Sequence, residues 1–504
     1  MNPCETHSRR QGTTRARACL RRALVVTLMY TLALLGGFTG AAREFPPPVQ
    51  PPKPLVLPAA NVRVLANGLR VVVVERHALP LVSLHLVVRA GAEDDGQSFG
   101  TAELVSALLT EGTTHRSARE IADTVDSMGG VMDTGADWDE SSASLSVLKD
   151  RVELAFDLLA DLVENPTFAP AETERKKKQT LSALEVVHAD PAYVADTALE
   201  RVLYAGTPYS HPADGTLDSV RQITPEILRD FHRRYYSPSN AILAVVGDVT
   251  TPEAFAAAEK SFGAWKGQEG TSAPPAVACT LPARRVIAID KADAVQTEIR
   301  VGTLGVPRVS PDYEALSLAN QILGGPAANR LFRTLRSRQG LAYSASSDLQ
   351  CYQAAGGWVI KTSTRTAETG KSLQIALEQL GRLHDQAISD SELESARKYL
   401  VGHMALQFET ADDVAAQILE LLVHNLPLDY WNQFPRKIHA LTPDDVWNAT
   451  RRYADPAHSV VVLVGDVRGF SKELKKLGPV QIIPLDQLDF DSPDLVQPAG
   501  KTGK

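Results

Sequence analysis

Residues 223–249 read ITPEILRDFHRRYYSPSNAILAVVGDV, and residues 441–467 read LTPDDVWNATRRYADPAHSVVVLVGDV. The two stretches align without a gap at a constant offset of 218 residues. Each has a Thr-Pro helix start, a helix with charged and aromatic faces, a proline-containing turn and an apolar run that ends in Gly-Asp-Val. The shared frame indicates an internal duplication whose repeated unit is a helix followed by a buried strand.

The same two-part organisation extends to both sides of these stretches. The segment around Glu172 resembles the segment around Glu392. In the first half, residues 62–65 and 69–75 predict two strands that flank Asn67-Gly68, a pair that suits a type I′ turn. We therefore predict an α+β chain of two tandem homologous halves, each a mostly antiparallel sheet with helices on one face.

Changes in composition mark the ends of the two halves. Basic residues precede an apolar run at 23–38 and small residues at 40–42, which is the pattern of a secretory signal peptide. A Pro-rich stretch follows, and a Gly/Pro/Ala-rich stretch separates the repeats. The predicted segments are a signal peptide at 1–42, a tether at 43–60, an N-terminal half at 61–268, a linker at 269–284, a C-terminal half at 285–480 and a flexible tail at 481–504.

The charge of the chain restricts its partners. After residue 42 it carries 46 basic and 59 acidic residues, a formal charge of −13. Such a body repels nucleic acid and anionic lipid, so neither is predicted as a partner.

The apolar run at 23–38 is shorter than the roughly 20 residues that a spanning helix needs. We expect an exported, periplasmic or extracytoplasmic protein, with cleavage near Ala42 or, alternatively, an uncleaved membrane anchor.

Few residues outside the repeats suggest chemistry of their own. Cys279 and Cys351 are the only cysteines after residue 42, and they are either free thiols or one bridge. Glu93, Asp94 and Asp95 follow a predicted strand and are expected in a solvated turn. The sequence contains no Cys-x-x-Cys pair and no Gly-x-Ser-x-Gly elbow, which argues against an independent hydrolase.

Four segments resemble the pitrilysin/insulinase family of zinc peptidases. They are NGLRVVVVERHALPLVSLHLVVRAGAEDD at 67–95, GTAELVSALLTEGTTHRSAREIADTVDSMGG at 100–130, YSHPADGT at 209–216 and NRLFRTLRSRQGLAYSAS at 329–346. The resemblance covers roughly residues 60–475. It implies two α/β-roll halves that face one another like a clamshell.

The zinc motif of that family is degenerate here. Active members carry His-x-x-Glu-His on the helix after the third strand, where two His one turn apart bind zinc and the Glu polarises water. In the frame that Gly100 sets, these positions are Glu103, Ser106 and Ala107. The resemblance therefore implies that this chain binds no zinc or other cofactor.

A further glutamate completes the site in active members, about 75 residues after the motif. The matching position falls within residues 182–184, centred on Ala183, and none of these residues is a carboxylate. Glu185 is adjacent, but one ligand alone does not make a zinc site.

The resemblance also implies a retained pair in the second half. In the family's clamshells an Arg/Tyr pair that matches Arg336 and Tyr343 reaches the zinc site and binds the substrate carbonyl. A guanidinium and a phenol can both donate to developing negative charge. Gly324 and Gly325 match a flexible segment that contacts peptide in some relatives, although a helix stop explains them equally well. The alternative for the pair is structural: Arg336 bound to a surface acid and Tyr343 packed in the core.

Two functions follow from the resemblance. The first is a subunit that is inactive alone and forms half of a peptide-binding chamber. It donates Arg336 and Tyr343 to a heterodimeric partner of the same family that carries the zinc, and the substrate is a peptide or an unfolded protein. The second is a structural or peptide-binding scaffold with no role in catalysis.

Overall fold

The computed structural model describes residues 58–267, 280–326 and 329–497 of the chain. The predicted signal peptide, most of the predicted tether and linker, Cys279 and residues 498–504 lie outside these ranges. Within the ranges described, none of the helices has both the length and the apolarity needed to cross a bilayer.

The first half of the chain forms a six-stranded sheet. Its strands are β1 (Asn61–Val64), β2 (Arg70–Glu75), β3 (Leu81–Val88), β4 (Val131–Ala136), β5 (Ser141–Leu148) and β6 (Ala241–Gly247). The order is β1-β2-β6-β3-β5-β4, and all pairs are antiparallel except β2 with β6. The helices are α1 (Thr101–Leu108), α2 (Ala118–Met128), α3 (Val152–Glu164), α4 (Pro170–Val187), α5 (Pro191–Leu203), α6 (Leu217–Gln222), α7 (Pro225–Tyr235) and α8 (Thr251–Phe262).

The second half repeats this sheet. Its strands are β7 (Arg285–Asp290), β8 (Gln296–Leu304), β9 (Ala345–Cys351), β10 (Gly356–Arg365), β11 (Val460–Gly465) and β12 (Val480–Pro484). The order β12-β7-β11-β8-β10-β9 matches the first sheet strand for strand, with β12 in the place of β1. Its helices are α9 (Tyr313–Leu323), α10 (Thr369–Asp385), α11 (Asp390–Met404), α12 (Ala411–Val423), α13 (Tyr430–Ala440), α14 (Pro443–Tyr453) and α15 (Ser471–Leu474), with a π-helical segment at Phe332–Arg338.

These matching sheets confirm the predicted fold class and the duplication. β6 and β11, the strands of the two aligned stretches, each lie third in their sheet and end at Gly247 and Gly465. A Cβ atom on Gly247 would lie 2.2 Å from the carbonyl oxygen of Leu81, and one on Gly465 would lie 2.6 Å from Oγ1 of Thr297. Both turns therefore require glycine for the same reason, the close approach of a neighbouring chain segment.

The loop between β1 and β2 differs from the predicted two-residue turn. The strand register leaves five residues in the loop, and within it only Gly68 takes a positive φ, +96°. Asn67 acts through its side chain instead. Its Oδ1 accepts from the N–H of Leu69 over 3.2 Å, and its Nδ2 donates to the carbonyl of Phe262 over 2.7 Å. These bonds fix the loop without the second left-handed residue that a type I′ turn needs.

Each sheet is covered on its second face by a helix from the other half. α5 packs on β8 and β11 of the second sheet, and α12 packs on β3 and β6 of the first. Every residue of β6 and β11 is buried in consequence. This two-sided cover explains why AILAVVG and VVVLVG are continuous apolar runs without polar alternation.

The segment after residue 480, which the sequence suggests is a flexible tail, packs against both halves over residues 481–497. β12 pairs in parallel with β7, and further on Phe490 and Leu495 are buried. Arg201 on α5 donates to the carbonyls of Asp491 and Ser492 over 2.8 and 3.3 Å. The acidic, Pro-containing composition suggested a solvated segment, but its apolar side chains and backbone carbonyls dock on the first half.

Candidate functional site

The helix with the degenerate zinc positions has a firmly fixed start. Gly100 precedes α1 with φ +88°, and a Cβ atom there would lie 2.8 Å from the carbonyl oxygen of Asp214. The carboxylate of Asp95 accepts from the N–H groups of Gly100 and Ala102 over 2.6 and 2.8 Å. Asp95 is thus buried and not part of a solvated turn. Its carboxylate accepts from N–H groups at the start of α1 that have no partner within the helix.

The three motif positions on α1 do not converge on a metal. Oε2 of Glu103 lies 3.3 Å from the N–H of Ala136 on β4, and burial raises the pKa of this carboxyl. Ser106 is fully buried, with its Oγ 3.5 Å from the hydroxyl of Tyr236. Ala107 is half-buried and offers no lone pair. One carboxylate, one core hydroxyl and one methyl group do not fit zinc.

The distal position on α4 supplies no ligand either. Ala183 is exposed, Leu184 is buried in the core and Glu185 is exposed. Over the described parts of the chain, no group of three or more His, Cys, Asp or Glu side chains is arranged to hold a metal ion. The side chains at the motif positions of α1 and α4 therefore do not form a set of zinc ligands.

Arg336 and Tyr343 meet at the surface of the second half. The π-helical segment carries Arg336, the chain turns at Gly340 with φ +60°, and Tyr343 comes two residues before β9. The Arg336 guanidinium carbon lies 4.8 Å from the ring centroid of Tyr343 and 4.9 Å from that of Phe332. The guanidinium of Arg336 is therefore within cation–π distance of both aromatic rings.

These contacts leave the polar groups available to a ligand. Tyr343 is 81% exposed, so it does not pack in the core, and Arg336 is exposed as well. Among the described residues, Arg336 forms no ion pair. A guanidinium held by two rings and a free phenol hydroxyl can both donate to an oxygen that carries negative charge.

Gly324 and Gly325 are explained by packing next to this region. Gly324 ends α9, and a Cβ atom on it would lie 2.2 Å from the backbone nitrogen of Ser347 on β9. A Cβ atom on Gly325 would lie 2.4 Å from Oε1 of Gln321. The close approach of α9 to β9 requires Gly324, and the return of the chain against Gln321 of α9 requires Gly325.

A buried acidic cluster joins the two halves, and the sequence reasoning missed it. Asp139 accepts from the hydroxyl of Tyr209 over 2.7 Å and from the N–H of Gln353 over 2.8 Å. Tyr209 stacks on Tyr352 with ring centroids 4.9 Å apart. Tyr209 lies in the segment YSHPADGT, and only the fold shows that this segment meets the connection between β9 and β10.

Glu93 belongs to the same cluster. The side chain is half-buried, and its Oε2 is buried without a hydrogen-bond partner among the described residues. Burial is the main reason that the pKa of Glu93 is raised to about 8, and the negative charge of Asp139 is the second. The prediction of a solvated turn at this position is therefore wrong, because the Glu93 carboxyl is largely buried beside Asp139 and Tyr209.

Comparison with known proteins places these features in a family. Residues 70–216 match the model "Insulinase (Peptidase family M16)", and residues 222–400 match "Peptidase M16 inactive domain". The crystal structure of a peptidase M16 inactive domain from Pseudomonas fluorescens is 30% identical, covers 81% of this chain and 98% of its own, and superposes with a TM-score of 0.76.

Two curated bacterial proteins are similar over most of their length. The uncharacterized zinc protease ML0855 of Mycobacterium leprae is 29% identical over 69% of this chain and 79% of its own. The non-peptidase homolog YmxG of Helicobacter pylori is 24% identical over 71% of this chain and 82% of its own. The similar proteins thus include both zinc proteases and non-peptidase homologues.

Proposed function

Because the chain belongs to the insulinase family, peptidase family M16, and is a non-catalytic member of it, we propose that it is the zinc-less subunit of a two-chain peptidase. In this assembly it forms half of a peptide-binding chamber, and a partner of the same family carries the zinc. The substrate is a peptide or an unfolded protein.

One observation carries the proposal. The positions that match the three zinc ligands of active members are Glu103, Ala107 and Ala183, and Ser106 stands in place of the water-polarising Glu, yet the exposed Arg336 and Tyr343 are stacked on one another. A pair with only a packing role would be expected in the core or bound to an acid, whereas Tyr343 is 81% exposed. An exposed pair of donors suits an oxygen that arrives from outside this chain.

The chemistry assigned to this chain is hydrogen-bond donation. When the partner's active site presents a peptide carbonyl, the Arg336 N–H groups and the Tyr343 hydroxyl donate to its oxygen and stabilise the oxyanion that forms as water adds. The stack with Phe332 restrains Arg336, so less side-chain freedom is lost when these bonds form. Zinc in the partner supplies the activation of water.

The proposal includes export. The basic residues, apolar run and small residues of residues 1–42 have the pattern of a signal peptide, and the exported chain works in the periplasm or outside the cell. The N-terminal sequence of the mature protein, with its cellular fraction, tests this part.

The main test combines the chain with a co-encoded M16 chain that carries His-x-x-Glu-His. Each chain and their mixture are assayed on a quenched fluorescent peptide, and complex formation is followed by co-elution. We expect co-elution and turnover well above that of either chain alone. A complex no more active than the partner alone would favour the scaffold function, and two chains that never co-elute would refute the pairing.

A further inference from the structure

The π-helical segment presents three exposed arginines, Arg333, Arg336 and Arg338, which we call the arginine face. None of the three forms an ion pair or a side-chain hydrogen bond with any other described residue. Arg336 is restrained by its two aromatic neighbours, and Arg333 and Arg338 extend the positive charge along the segment.

Other arginines of the second half are paired with carboxylates, unlike the three of the arginine face. Arg308 bonds Glu420 over 2.6 Å, and Arg330, two residues before the π-helical segment, bonds both carboxylate oxygens of Glu392 over 2.8 and 2.9 Å. The protein as a whole is acidic, with a formal charge of −8. A local excess of positive charge on such a body favours an anionic ligand at this face.

A cavity of about 320 Å³ opens beside the arginine face, between α9, α11 and the π-helical segment. Its polar lining consists of Gln321, Arg333, Ser391, Glu392, Ser395 and Tyr399. Arg330 neutralises the carboxylate of Glu392. Arg333 is therefore the charged lining residue that has no counter-charge among the described residues. The volume is at the lower end of ligand sites and suits one side chain or a chain terminus.

We propose that the arginine face binds the carboxylates of acidic peptides, with one carboxylate entering the cavity at Arg333. A guanidinium matches the two oxygens of a carboxylate with two parallel N–H bonds, and Arg338 adds a second cation. If the proposed function holds, Arg336 of the same face lies at the partner's active site, and the assembly therefore prefers acidic substrates. This preference rests on the proposed function. Binding itself needs only this chain.

The test uses the full chain alone and fluorescence anisotropy. The probes are a short fluorescein-labelled peptide that contains Glu residues and its twin with Gln at those positions, each with a free or an amidated C-terminus. We expect the Glu peptide to bind about tenfold more tightly than its twin. The difference should shrink at high salt and vanish in the double variant Arg333→Gln, Arg338→Gln.

Matched variants keep the result interpretable. Arg333→Lys retains the charge and should retain part of the preference, and Arg119→Gln, at an exposed arginine on α2, should change nothing. A preference set by the free C-terminus alone, with equal affinity for the Glu and Gln peptides, would contradict the binding of acidic side chains and assign the cavity to a chain terminus.

Two outcomes would overturn the proposal: equal affinity for the Glu and Gln peptides, or a preference that persists in the double variant. A double variant that keeps the preference but no longer co-elutes with the zinc-bearing partner would assign the face to subunit contact. An inactive two-chain mixture would refute the proposed function yet leave the binding difference intact, so the two failures are distinguishable.

Discussion

Arg300 on β8 donates from its Nε to Oδ1 of Asp196 on α5 over 2.7 Å, and so joins the second sheet to a helix of the first half. Its Nη1 bonds Glu298 over 2.8 Å, and only 5% of the Arg300 side chain is exposed. In the first sheet, Asp412 on α12 accepts a hydrogen bond from Ser83 on β3 and lies 3.1 Å from Nε2 of His85, whose register matches that of Arg300. Each crossing helix is therefore joined to the sheet of the other half by a polar contact beneath it.

Asp196→Ala should lower the free energy of unfolding by about 2 kcal/mol, because it leaves the buried charge of Arg300 with Glu298 alone. The figure is below the usual range for a buried pair since Asp196 is 33% exposed. Denaturant unfolding measures the change. Asp123→Ala, which removes an exposed ion pair on α2, is the control and should change stability by less than about 0.5 kcal/mol. Equal effects of the two variants would contradict a role for Arg300 in fastening the halves.

The acidic cluster between the halves predicts a loss of stability with rising pH. The pKa of Glu93 is raised to about 8 from 4.5, so the folded state holds a proton that the unfolded state releases above 4.5. Its contribution is complete below pH 4.5 and is lost as the pH rises to 8. Asp139, Asp94 and Tyr209 are the titratable groups that face it.

Glu93→Gln keeps the shape and removes this proton. We expect the variant to be more stable than the wild type at pH 8, by about 2 kcal/mol, with a smaller difference at pH 5. Thermal unfolding across this range measures it. Parallel pH profiles for the two proteins would show that Glu93 is not the group responsible.

Zinc should not bind stoichiometrically to the purified chain, and restoring the motif should not create a peptidase. Glu103→His and Ala107→His rebuild two ligands and Ser106→Glu rebuilds the water-polarising residue, but Ala183 still supplies no third ligand. The structure adds a second obstacle, because Ser106 is fully buried against Tyr236 and a glutamate there overpacks the core. Metal analysis after dialysis and a peptide assay check both statements. One tightly held zinc in the wild type, or activity like that of an intact relative in the triple variant, would contradict them.

The sequence predicted the two sheets because their signals are local. Each aligned stretch contains its own helix start, turn and apolar strand, and the frame places Glu103, Ser106 and Ala107 on one helix. The crossing of α5 and α12 was not predictable, since an apolar helix face does not specify which sheet it covers. The continuous apolar run of β6 was the available clue.

The burial of Glu93 and Asp95 could not be predicted either, because it depends on contacts between residues distant in the sequence. Glu93 and Asp95 look like a solvated turn in the sequence, but Asp95 binds the start of α1 and Glu93 lies beside Asp139 and Tyr209, which are distant in the sequence. The spacing of Arg336 and Tyr343 was visible, but their stack depends on a π-helical segment and the turn at Gly340. Local patterns do not encode that geometry.

The hydroxyl of Tyr343 tests the central claim most directly, because Tyr343→Phe removes one donor and keeps the ring that stacks on Arg336. In the assembled two-chain complex we expect turnover to fall about a hundredfold, as the loss of one oxyanion donor typically costs. Co-elution and the thermal midpoint should stay unchanged, since Tyr343 is 81% exposed. Unchanged turnover in a fully assembled, equally stable complex would contradict the account and leave the chain as a scaffold.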